Sequence, residues 1–185
     1  MNETLQHISR RYSCRDFKDT PLTDEQIEAL VGAALAAPSA RNLQPWHIIV
    51  VTDKALIEEM DAEGMDELST DKARADIYQN MLSRGGKLFY NAPCMFVILY
   101  NGSNYGPFDC GILGQNIVLA AQSLGLGTCY VGMAAVPLAG PRADEFIERL
   151  KFPEGYEFAM GILVGTINSG KPPHEPDPSK VSYIG

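Results

Sequence analysis

Two prolines bracket the run Ala37-Pro38-Ser39-Ala40-Arg41-Asn42-Leu43-Gln44-Pro45-Trp46. Each proline fixes its own φ and pushes the preceding residue out of the α region, so the run is a rigid, extended connection. A helix pattern stops just before it, and the apolar strand His47-Ile48-Ile49-Val50-Val51 starts just after. The hydroxyl of Ser39 and the amides of Asn42 and Gln44 therefore ride on a stiff mount, which suits the binding of a polar heterocycle. An ordinary helix-to-strand connection is the alternative on this stretch alone.

The elements around the run follow from caps and periodicity. Asn2 can cap a short helix carrying Leu5 and Ile8 inward. Thr23-Asp24-Glu25-Gln26 is a capping box, and Ile27, Leu30, Val31, Ala34 and Leu35 follow at helical spacing, which predicts a helix over 24–36. A further helix starts at Asp53 with Leu56, Ile57 and Met60 on one face. Residues 61–87 are polar and weakly patterned; one helix near 73–82 and the loop Ser83-Arg84-Gly85-Gly86 make a candidate cover over a site. Buried strands are expected at 94–100, 128–133 and 158–167. A helix is expected at 141–150, and 108–124 reads as a central core helix, apolar nearly all round. The tail from Ser169 to Lys180 holds four prolines and leads to the strand-like Val181-Ser182-Tyr183-Ile184, which needs a sheet edge, such as a partner subunit's, to join.

At 185 residues the chain fits one domain, 1–185, with residues 168–185 as an arm. No apolar run approaches the ~20 residues of a membrane span. The N-terminus lacks a secretory pattern, so the expected setting is cytoplasmic. Cys14, Cys94, Cys110 and Cys129 show no metal or disulfide spacing, and no metal is expected. A net charge of −8 argues against nucleic acid and anionic membrane as partners. It also makes the cluster Arg10, Arg11 and Arg15 informative. If this piece is extended, Arg11, Ser13 and Arg15 share one face as an anion cradle; a solvated basic turn paired with Asp16 and Asp19 is the alternative.

Two nucleotide-binding patterns fail. Gly165-Thr166-Ile167-Asn168-Ser169-Gly170-Lys171 opens like a P-loop, but Pro172 stands where the magnesium-binding hydroxyl belongs, and Pro172-Pro173 breaks the required helix. Gly125-Leu126-Gly127 lacks the third glycine of a dinucleotide fingerprint at the right distance and leads into a strand. His7, His47 and His174 have no metal spacing.

Taken together, the segments resemble the FMN-dependent nitroreductase family. Arg11-Tyr12-Ser13-Cys14-Arg15-Asp16-Phe17 is similar to its R-R-S-x-R-x-F signature, and Pro38–Trp46 to its P-S-x-x-N-x-Q-P-W loop. Asn91-Ala92-Pro93, Leu124–Gly132 and Gly165 recur in the same order. The resemblance implies an α+β three-layer sandwich: a mixed, mainly antiparallel sheet flanked by helices, with the C-terminal arm packed on a partner subunit. It implies a homodimer with one FMN in each of two interface clefts. Arg11 and Ser13 would hold the phosphate and ribityl chain, Tyr12 would contribute backbone, and Arg15 would lie near the pyrimidine edge. Pro38, Ser39, Ala40, Asn42 and Gln44 would come from the other subunit. Gly132 and Met133 would present backbone N–H near flavin N5, and Lys171 would be a second phosphate ligand. Tyr12 departs from the family's second basic residue, and the tail lacks an arginine seen in members. The implied activity is passage of reducing equivalents from NADH or NADPH to a flat, electron-poor small molecule, a nitroaromatic or a quinone, by a ping-pong route. The resemblance implies Arg15 as the catalytic residue, which would stabilise the reduced ring, while the redox chemistry would belong to the cofactor. A non-catalytic FMN-storage protein and a reductive dehalogenase on the same fold are the alternatives.

Overall fold

The computed structural model describes residues 2–185. Its helices are α1 (Glu3–Arg10), α2 (Asp24–Leu35), α3 (Lys54–Thr70), α4 (Ala75–Ser83), α5 (Gly106–Ser123) and α6 (Ala143–Leu150). Its strands are β1 (Trp46–Val51), β2 (Cys94–Tyr100), β3 (Leu126–Val131) and β4 (Glu157–Thr166). The four strands form one sheet in the order β1-β2-β4-β3, every neighbouring pair antiparallel. The sheet's parallel component is a single bridge, Ser13 to Thr128.

β2 shows why three layers form. Its residues Cys94 to Leu99 are all buried and alternate between two cores. Cys94, Phe96 and Ile98 join Leu30, Trp46, Leu113 and Ile117, the layer of α2 and α5. Met95, Val97 and Leu99 join Met60, Leu68, Phe89 and Phe146 on the other face. Each fully buried side chain of this size contributes roughly 1.5–3 kcal/mol, so a polar substitution anywhere along β2 damages one layer outright.

Several expected elements are shifted. α3 runs through the polar stretch as far as Thr70, because Leu56, Met60, Gly64 and Leu68 recur every four residues on its buried face. β3 ends at Val131, so Gly132 and Met133 fall in a 3-10 turn after it. α1 buries nothing: Leu5 and Ile8 are exposed, contrary to the inward placement expected for them. α5 packs on α2 and across the sheet, burying Cys110, Leu113, Ile117 and Val118, but it leaves Phe108 71% and Ile112 44% exposed, so it is a core helix on one face and not all round. Among the described residues Val181–Ile184 pairs with no strand, and Tyr183 and Ile184 are exposed.

Candidate functional site

Residues 11–18 belong to no regular element, yet the backbone fixes them tightly. The Cys14 N–H donates to the Thr128 carbonyl at 2.8 Å, and the Lys18 N–H to the Thr166 carbonyl at 2.8 Å. Phe17 pairs with Ile167 across an antiparallel bridge. Gly127 makes this approach possible: a Cβ there would sit 2.8 Å from the Cβ and Sγ of Cys14. The returning chain closes the clamp. Asn168 donates from its backbone to the Asp16 carbonyl at 3.0 Å and from Nδ2 to the Asp16 carboxylate at 3.0 Å, beside a bond from the Ser169 hydroxyl. The Ser169 hydroxyl, then Asn168, hold the Asp16 carboxyl below the usual carboxylate range.

This clamp shapes a cleft of about 330 Å³ in which Tyr12, Ser13, Arg15 and Lys171 meet Asp16 and Arg84. Tyr12 serves the tail, since its hydroxyl bonds the Lys171 backbone; burial raises the phenol pKa and that bond opposes the rise. The Arg15 guanidinium lies 5.9 Å from the centroid of the Tyr90 ring, a cation–π brace. Tyr90 and Asn91 both adopt positive φ, 51° and 56°. The loop before them is held by Asp61, 3% exposed on α3, which accepts the Phe89 N–H at 2.6 Å and lies 3.8 Å from the Lys87 ammonium. Burial raises the Asp61 pKa, against the pull of Phe89 N–H and Lys87.

Arg11 is not in this cleft. It lines a separate groove with Ile8, Pro173 and His174, so the expected shared face holds for Ser13 and Arg15 only. Gly132 and Met133 do not line the cleft either, but they continue β3, the strand that Ser13 bridges.

The proline-bracketed loop lies elsewhere. It feeds β1, the sheet edge opposite β3, so Pro38, Ser39, Ala40, Asn42 and Gln44 do not reach the cleft of their own chain. Ala40 N–H donates to Asp109 Oδ1 at 3.1 Å, and Asp109, in the first turn of α5, is 4% exposed. Ser39 Oγ accepts the Gln44 N–H at 2.9 Å, and Gln44 Nε2 donates to Asn42 Oδ1 at 3.1 Å. Arg41, Asn42 and Gln44 have φ of 54°, 56° and 46°. Three left-handed non-glycine residues in so short a loop are the kind of strain that persists where a binding geometry demands it.

The family decides what such an arrangement is for. The nitroreductase family model matches residues 8–166. The chain belongs to the nitroreductase family. A nitroreductase from Desulfitobacterium hafniense, solved with bound FMN, is similar to it at 47% identity and a TM-score of 0.95, covering 100% of both chains. The FMN reductase (NADPH) of Bacillus subtilis is 30% identical over 95% of this chain and 71% of its own length. The NADPH:FMN oxidoreductase of Vibrio harveyi, solved with NAD+, is similar at 25% identity and a TM-score of 0.73, over 100% of this chain and 77% of its own.

In this nitroreductase-family chain, sequence reasoning gave no role to Tyr90, Asp61 or Asp109 and placed Arg84 only within a candidate cover. For Asp109 the signal was a carboxylate inside an apolar helix; for Arg84, a cation directly before Gly85-Gly86. Cys14 and Cys129 lie behind the cleft, and burial pushes both thiols up, so neither is an activated nucleophile.

Proposed function

We propose that this chain is an NAD(P)H-dependent FMN oxidoreductase that passes reducing equivalents to a flat, electron-poor acceptor, a nitroaromatic or a quinone, in alternating half-reactions. The observation that carries the reading is the meeting of Ser13, Arg15 and Lys171 in one cleft. A hydroxyl and a lysine ammonium suit a phosphate, and an arginine suits a ring that gains negative charge, so the donor set fits FMN.

When bound, FMN supplies the hydride chemistry. Ser13 and Lys171 hold the phosphate at roughly 1.5–3 kcal/mol per charge-assisted hydrogen bond, with Arg11 adding positive charge nearby. Arg15, braced by Tyr90, would offset negative charge developing on the pyrimidine side of the ring. Gly132 and Met133 offer backbone N–H groups to the reacting nitrogen. Reductant and acceptor would enter the same cleft in turn.

A second copy of the chain completes the site with Pro38, Ser39, Ala40, Asn42 and Gln44. Four strands at ~4.8 Å spacing put ~14 Å between the sheet's edges, too far for one chain to bring its own loop to Ser13. Exposed Leu5, Leu43, Phe108 and Ile112 supply apolar surface for such a dimer, and the end of the arm, with Val181, Tyr183 and Ile184 exposed, packs on the partner. Four free cysteines accord with a cytoplasmic setting.

The test is optical. Purified protein carries a flavin spectrum, anaerobic NADH or NADPH bleaches it, and a nitroaromatic or quinone restores it. Colourless protein that takes up no FMN overturns the reading. A bound flavin that neither nucleotide bleaches points to storage instead.

A further inference from the structure

Arg15, Arg84 and Lys171 line the same cleft, and the charges of all three oppose the burial-raised pKa of Cys129 behind it. In a chain with 23 acidic and 15 basic residues, none of the three has a carboxylate partner at ion-pair distance among the described residues. The carboxylate of Asp16, in the same cleft, is already engaged by Asn168 and Ser169. A phosphate monoester brings about two negative charges, which Lys171 and the nearby Arg11 offset while Ser13 donates a hydrogen bond, and Arg15 meets the ring. Arg84 is left over.

Its mounting also differs. Arg15 follows residues tied to β3 and is braced by Tyr90. Lys171 follows the Asp16 clamp, and its backbone bonds Tyr12. Arg84 is exposed at the C-terminal end of α4, held by turn bonds to Met81 and Leu82 alone. Gly85 and Gly86 follow with φ of +98° and +67°, a backbone that side-chain-bearing residues rarely adopt. Fixed cations suit a resident cofactor. A cation beside a glycine pair suits a ligand that enters and leaves at every turnover.

We infer that Arg84 is a recognition residue for an anionic electron acceptor, taking the carboxylate of a flat aromatic substrate by the two-pronged geometry that a guanidinium offers. The inference rests on the FMN reading above. Because a cation at a helix C-terminus also stabilises the helix, the test must read ligand binding rather than stability.

The probes are 4-nitrobenzoate and its neutral isostere 4-nitrobenzamide, titrated into FMN-loaded protein and followed by the perturbed flavin absorbance. The unsubstituted chain binds the benzoate more tightly than the benzamide. Arg84→Ala weakens the benzoate about tenfold and the benzamide less than about twofold, and Arg84→Lys falls between, as expected for loss of one charge-assisted contact. Equal weakening of both probes, or no preference in the unsubstituted chain, overturns the inference. So does a loss confined to NADPH relative to NADH, which would assign Arg84 to the reductant's 2′-phosphate. Absence of FMN from the unsubstituted protein would instead overturn the flavin reading itself.

Discussion

The two halves of the proposed site are built by opposite means. The cleft half, residues 11–18 with 168–171, borrows its rigidity from the sheet: its backbone bonds run to Thr128 and Thr166, and its φ values are ordinary. The elbow half, residues 38–44, has no strand beside it and instead holds three residues in left-handed backbone. Each half nonetheless depends on one buried aspartate that reaches far along the chain. Asp61 holds Phe89, 28 residues away, and so the loop that carries Tyr90 to Arg15. Asp109 holds Ala40, 69 residues away, and so the elbow. The cleft works through its side chains, whereas the elbow works through the shape of its backbone.

That contrast can be broken at four places. Arg15→Ala removes a side-chain function, and stopped-flow traces of FMN-loaded variant should show flavin reduction by NAD(P)H slowed about 100-fold, the size expected for one lost charge-stabilising donor. Unchanged kinetics would remove Arg15 from the mechanism.

Asp109→Ala attacks the elbow from behind. It leaves the Ala40 N–H unsatisfied at about 1–3 kcal/mol, which should weaken FMN binding about tenfold in a fluorescence titration. Asp109→Asn, which keeps an acceptor oxygen, should restore most of that. If the amide variant fails as badly as alanine, the elbow needs the charge and not the bond.

Asp61→Asn probes the corresponding anchor of the cleft. Burial raises the Asp61 pKa in the folded chain. The folded state therefore keeps its proton more tightly than the unfolded one, and the stability from this group is full below the ordinary carboxylate pKa and declines as pH rises through the raised value. The amide variant carries no such penalty, so its thermal midpoint relative to the unsubstituted chain should climb from about pH 4 toward neutrality. Parallel stability curves for the two proteins would show that burial does not strain Asp61.

The smallest effect belongs to Arg41→Gly. Left-handed backbone costs a side-chain-bearing residue ~1–2 kcal/mol, and glycine's extra freedom in the unfolded chain returns ~0.5–1 kcal/mol of that. A net gain below ~1 kcal/mol in chemical denaturation is expected; a loss would mean that the Arg41 side chain makes a stabilising contact.

Regular elements were legible where local chemistry is strong. The Thr23–Gln26 box forms as read, with both reciprocal bonds present. β1 and β2 keep the bounds their apolar runs announce. α3 was half hidden because its buried stripe includes Gly64 and Asp61, which look like loop residues until Phe89 is known to satisfy the carboxylate. The face shared by Arg11, Ser13 and Arg15 was overdrawn, since Arg11 caps α1 and lines the groove with Ile8, Pro173 and His174 instead of the cleft.

The amino-acid sequence by itself determined the family, the capped helices, the apolar strands and the chemical kinds of group at the site, because caps, periodicity and motif spacing are local. Only the tertiary structure decided that Arg84 joins Ser13, Arg15 and Lys171, that two aspartates anchor the loops, and that the elbow stands at the far edge of the sheet. Those facts depend on hydrogen bonds and strand order between residues distant in the chain, and no local pattern encodes such contacts.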